Sequence, residues 1–142
     1  QAGTAHRCGV TTGNALTCWG SNDRNQVGDG SDTNRATRIL ASATSALTRV
    51  SAGYEHTCGL SGAGELFCWG AFDRGALAQS ATADVDAPTA SSSTLRFFAL
   101  GAGNGFSCAL ATGGIPYCWG AGTEGQLGGT TDSATPVRIA PF

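Results

Sequence analysis

Cys8-Gly9-Val10-Thr11-Thr12-Gly13-Asn14-Ala15-Leu16-Thr17-Cys18-Trp19-Gly20 is the stretch that decides the fold, because the chain contains it three times. It returns as Cys58-Gly59-Leu60 through Cys68-Trp69-Gly70, and again as Cys108-Ala109-Leu110 through Cys118-Trp119-Gly120. The leading cysteines recur with a period of 50 residues, and all six cysteines and all three tryptophans lie inside the unit. A fixed period of about 40 to 50 residues marks a propeller or a repeat array, not a globule with one core.

Within the unit, positions that face each other across a hairpin have a constant sum. Pairing Cys8 with Cys18 centres the turn on Gly13 and sets Val10 against Leu16. Thr12-Gly13-Asn14 then forms the turn, where Gly and Asn tolerate the left-handed backbone of tight hairpin loops. Directly opposed residues of an antiparallel pair lie about 4.5 to 5.5 Å apart, within reach of a disulfide. Six cysteines allow about 15 pairings, and repeat symmetry selects Cys8–Cys18, Cys58–Cys68 and Cys108–Cys118. A Cys-x9-Cys spacing with no Cys-x-x-Cys or His pair fits zinc poorly. Trp19, Trp69 and Trp119 follow the second cysteine and point to the opposite strand face. They are expected to pack against a neighbouring blade. Val27, Leu77 and Leu127 recur at the period and are expected to anchor the loop that follows.

The 142 residues include 22 Gly, no Met and eight cations, all Arg. A chain with no Met is expected to be processed or to be a piece of a longer one. Regularly spaced cysteines point to an oxidising, extracellular setting. A net charge of −2 without basic clusters argues against a nucleic-acid partner. No apolar run reaches the length of a membrane helix.

Short strands separated by Gly-rich turns give about four per repeat, the content of a propeller blade. The expected architecture is all-β. It consists of blades of four short antiparallel strands in three repeats (about 1–50, 51–100 and 101–142), forming one repeat domain, an incomplete ring or an open array. Leu47-Thr48-Arg49-Val50 and Phe97-Phe98-Ala99-Leu100 precede the second and third cysteine strands, while the first copy has no such strand. Pro136-Val137-Arg138-Ile139 aligns with Ala36-Thr37-Arg38-Ile39 at twice the period.

Ala-Gly-x-x-His-x-Cys-Gly-Leu, then Cys-Trp-Gly, then Gly-Gln-Leu-Gly and a Pro-Val strand, resembles the regulator of chromosome condensation repeat, in its cysteine-bearing secreted bacterial form. The likeness covers nearly the whole chain. It departs at Ala76-Leu77-Ala78 and at Phe106, which stands where other copies have His6 and His56. The resemblance implies a propeller, commonly of seven blades, and interaction surfaces more than chemistry. The family's eponymous member acts on a small GTPase and binds chromatin, and another member inhibits beta-lactamases. No motif here carries either activity.

Candidate sites are few. His6 and His56 read as packed, hydrogen-bonded side chains, since no orienting partner for catalysis is evident. Asp23, Asp29 and Asp32 share one loop without calcium-loop spacing, and read as turn carboxylates. No nucleophile elbow occurs, so neither an enzyme nor a cofactor or metal is expected. Three blades do not close a ring, and uncapped repeats recruit other chains. The ends Ala2-Gly3 and Val137-Arg138-Ile139 are therefore expected to join other copies, one finishing a blade that the other begins. Two copies would close six blades, and a non-closing contact would grow a filament. The expected function is that of a secreted, self-associating scaffold. The alternative is an extracellular binding module, of inhibitor or adhesion type, acting through loops 21–30, 71–80 and 121–130.

Overall fold

The computed structural model describes Gly3 and residues 5–42 and 45–140. Ala2, proposed as one end of an assembly contact, lies outside the described residues. Among the described residues eleven strands run in chain order: β1 His6–Val10, β2 Leu16–Gly20, β3 Arg35–Leu40, β4 Leu47–Ala52, β5 His56–Ser61, β6 Leu66–Gly70, β7 Val85–Ala90, β8 Phe97–Ala102, β9 Phe106–Ala111, β10 Ile115–Gly120 and β11 Ser133–Arg138. They form three antiparallel sheets, β1-β2-β3, β4-β5-β6-β7 and β8-β9-β10-β11. Among the described residues a single 3-10 turn, Asp73–Gly75, interrupts the strands.

Each cysteine hairpin has the register that its palindromic spacing dictates. Cys8 opposes Cys18 and Val10 opposes Leu16, and the second repeat pairs Cys58 with Cys68 and Leu60 with Leu66. In the third, Cys108 opposes Cys118. The turns take positive φ where Gly or Asn stands, at Asn14, Gly64, Gly113 and Gly114. Disulfides close all three hairpins, with Cα separations of 4.2, 4.1 and 4.0 Å.

The sheets stack as blades. β1 packs on β4, and β4 and β5 pack on β8. Because side chains alternate along a strand, each blade has a forward face toward the next repeat and a back face toward the previous one. Cys8, Leu16, Cys18 and Val27 of blade 1 meet Leu47, Phe67 and Trp69 of blade 2. Cys58, Leu60, Leu66, Cys68 and Leu77 of blade 2 meet Phe97, Ala109 and Trp119 of blade 3. The core thus lies between the sheets. Blades also approach backbone to backbone: a Cβ built on Gly53 would sit 2.5 Å from the Gly103 carbonyl oxygen, so only glycine fits there.

Two expectations about the C-terminal strand change. Val137 opposes Cys118, the position that Ile39 takes opposite Cys18. The strand is thus two residues out of step with the 50-residue period, because the linker before it is shorter. It also belongs to its own blade: Arg138 opposes Tyr117, and Ile139 N–H donates to the Pro116 carbonyl at 2.9 Å. Val137-Arg138-Ile139 therefore completes blade 3 and is not left over to finish a blade of another copy. Gly3 donates its N–H to the His6 carbonyl at 2.9 Å and so leads straight into β1. Among the described residues the vacant strand position lies beside β1, where blades 2 and 3 carry β4 and β8.

Candidate interaction faces

Two polar devices repeat at each junction between blades. In the first, Thr57 Oγ1 donates to the Gln26 carbonyl at 2.8 Å, so it accepts from His6 Nε2 at 2.7 Å. That fixes the His6 proton on Nε2 and leaves Nδ1 a bare acceptor, buried without a hydrogen-bond partner. One repeat later, His56 Nε2 lies 2.8 Å from Ser107 Oγ. In the second, the indole N–H of Trp69 donates to the Gln26 carbonyl, and that of Trp119 donates to the Ala76 carbonyl, both at 3.0 Å. Both indoles are fully buried, and their N–H groups need such a partner.

Burial pushes the pKa of each histidine down from 6.5 to about 4, and for His56 the neighbouring His6 adds to the shift. Both are therefore neutral inside the fold and titrate normally once unfolded. Between pH 6.5 and 4 the unfolded chain binds more protons, so stability is whole above 6.5 and drains away as pH falls toward 4. The loss is about 3 kcal/mol per histidine at pH 4. A thermal-melt series from pH 7 to pH 4 should show this slope. His56→Phe, which copies Phe106, should flatten about half of it.

A third device sits at the rim. Arg24 of blade 1 reaches Asp84 (2.6 Å), Glu55 (3.3 Å) and Asp73 of blade 2, and the hydrogen bonds to Asp84 and Asp73 raise its pKa further. Arg74, one repeat on, reaches Asp132 at 3.0 Å and Thr123 of blade 3. Asp84 and Asp132 also cap loop amides, accepting from Phe72 N–H at 3.2 Å and Gly122 N–H at 2.9 Å. Asn34 takes the same place in blade 1, 2.6 Å from Asn22 N–H.

The sequence-derived residues fall into this frame. Trp69, Trp119, Val27, Leu77 and Leu127 are all buried, while Trp19 is only half-buried, because no other blade of the described residues packs on its side of blade 1. Asp23, Asp29 and Asp32 do not converge. Asp23 accepts from Ser21 Oγ at 2.7 Å, Asp29 from Arg35 Nε at 2.5 Å, and Asp32 is exposed. Among the described residues no three His, Cys, Asp or Glu side chains gather to hold a metal, and no helix is long and apolar enough to cross a membrane. The rim clasp was not foreseen, although the recurrence of Arg24 at Arg74 was there to be seen.

Among the described residues two blade faces have no blade packed on them. The back face of blade 1 carries Trp19 and the exposed Arg7, which oppose each other across β1 and β2. The forward face of blade 3 carries half-buried Phe106 and Gln126 and exposed Leu110 and Pro116. A shallow apolar hollow of about 180 Å³, whose lining includes Cys108, Leu110 and Pro116, marks this face. It is the counterpart of the surface on which blade 2 receives Phe97 of blade 3.

A model of the regulator of chromosome condensation (RCC1) repeat matches residues 47–76. No curated protein sequence matches the chain. Among solved structures it is similar to yeast RCC1 (Prp20), seen bound to Kap60, with 26% identity and a TM-score of 0.84 over 99% of this chain and 36% of that one. Human WBSCR16 shares the fold, with a TM-score of 0.89 at 21% identity over 99% of this chain and 37% of the other. The ectodomain of the Physcomitrella patens receptor kinase CR4 matches 84% of this chain and 28% of its own, with 27% identity and a TM-score of 0.55. The chain thus spans little more than a third of the first two proteins.

Proposed function

We propose, on the premise that this chain is built from regulator of chromosome condensation (RCC1) repeats, that it is a disulfide-bonded protein-binding scaffold whose open blade faces close against other copies of itself. The observation that carries the reading is the repeated junction. Trp69 and Trp119 each seat on a loop carbonyl of the preceding blade. The two halves of one more such junction lie at the two ends of the molecule: Trp19 half-buried on blade 1, and the Gln126 loop with Leu127 on blade 3. Joined head to tail, Trp19 would meet the Gln126 carbonyl as Trp69 meets that of Gln26. Such a contact is heterologous, and the rotation between copies decides between a closed ring and a filament.

Three disulfides suit an extracellular site of action. The relatives support binding as the mode of action: yeast Prp20 has been studied for its binding to Gsp1p and histones, and CR4 presents its matching part as an ectodomain. None of those partners is assigned here, since fold does not carry function.

Sedimentation equilibrium of the oxidised 142-residue chain tests the reading. A mass that rises with concentration to multiples of 14.2 kDa supports it. A species that stays at 14.2 kDa up to the highest attainable concentration overturns it, and leaves the open faces for a different protein.

A further inference from the structure

We infer that the junction between copies is specified by Arg7 of one copy meeting Phe106 and Glu124 of another. The inference rests on the self-association reading and names the contacts that give it direction. The inner junctions set the geometry. Residue 6 faces residue 57, and residue 56 faces residue 107, each a histidine against a hydroxyl. One step further, residue 106 faces residue 7 of a following copy. Both halves of the pair differ there, because Phe106 replaces the histidine and Arg7 replaces the hydroxyl. A phenyl ring offers no N–H, so a hydroxyl opposite it would lose its donor. A guanidinium over the ring face is instead attracted to the π cloud when within about 6 Å of its centre. The two unmatched positions suit each other and neither suits an inner partner.

The rim charges change in the same sense. Inner forward faces present a cation, Arg24 or Arg74, while the back faces that receive them present Glu55, Asp73 and Asp84, or Asp132. At the outer forward face Glu124 stands in the arginine position. Blade 1 meanwhile has Ala5 where blade 2 has Glu55, and Asn34 where it has Asp84. The polarity is turned round, with the anion on the forward face and the cation on the back face. Phe106, Glu124 and Gln126 line one cleft, together with Glu55, Asp73 and Arg74 of blade 2, and Glu124 already acts on the Arg74 charge, so a guanidinium laid across the ring would share that carboxylate with Arg74. Asp23 is the like charge that this junction brings toward Glu124; its carboxylate accepts from Ser21 and Gln26 within its own loop. Against the acids of blade 2, Glu124 would be repelled, which directs a following copy to blade 1 and away from the inner blades.

A double-mutant cycle read by sedimentation equilibrium tests the assignment on Arg7→Glu, Glu124→Arg and the double variant, with Trp19→Ala as a reference. Arg7 and Glu124 are exposed, so folding should be unchanged. Arg7→Glu is expected to weaken association about tenfold or more. The double variant should recover most of that loss and associate more tightly than Glu124→Arg alone. If Arg7→Glu has no effect, or the double variant recovers nothing while Trp19→Ala still abolishes association, this assignment falls and self-association stands. If the unmodified chain does not associate, both fall.

Discussion

Reduction of the three disulfides is expected to unfold the chain. Each bond joins residues ten apart, and the entropy of closing so short a loop is worth about 3 kcal/mol. Three such bonds together match the whole stability of an ordinary domain, about 5 to 15 kcal/mol. The sulfurs also form part of the packing. Cys8, Cys18, Cys58 and Cys68 are at most 1% exposed and lie between the blades beside Leu16, Leu60 and Leu66. With 22 glycines raising the entropy of the unfolded state, other contacts have little surplus to cover the loss. Guanidinium titrations with and without a thiol-free reductant, followed by tryptophan fluorescence, check this. Cys58→Ala/Cys68→Ala should be more damaging than Cys108→Ala/Cys118→Ala, because Cys108 faces the open side of blade 3. An unchanged midpoint after verified reduction would contradict the prediction.

The hairpins were legible in the sequence because everything that defines them is local. A ten-residue spacing, a Gly or Asn turn and an invariant Trp fix the register, and the pairing of the cysteines follows from it. The face on which Trp69 and Trp119 lie was legible for the same reason. The outer strands were less so. The linker of the third repeat is shorter by two residues, so reading along the period placed Val137 against Thr37, whereas the ladder places it in the role of Ile39. The same shift hid the rim clasp: Asp84 and Asp132 cap equivalent amides but stand 48 residues apart, off the period. The histidines were visible as a column, but their hydroxyl partners at a separation of 51 required the stacking of blades to be known. Chemistry between repeats is thus written at offsets that the repeat alone does not reveal.

The three tryptophans should separate into two classes. Trp69→Ala and Trp119→Ala remove fully buried indoles from between blades, and each should cost about 3 to 5 kcal/mol. Each also strips the donor from a carbonyl, Gln26 or Ala76. Ala76 then loses the side-chain donor to its carbonyl, whereas Gln26 keeps the Thr57 hydroxyl, so Trp119→Ala should be the more damaging of the two. Trp19 occupies the same place in its repeat but is half-buried. In dilute solution Trp19→Ala should cost far less, because a half-exposed ring forfeits only part of its transfer free energy. That difference should shrink as protein concentration rises if Trp19 seats on the Gln126 loop of a second copy, since association adds stability that only the unmodified chain can gain. Denaturation midpoints of the three variants at two concentrations a hundredfold apart measure this directly. Equal cost at all three positions in dilute solution would mean that the back face of blade 1 is already covered within a single chain.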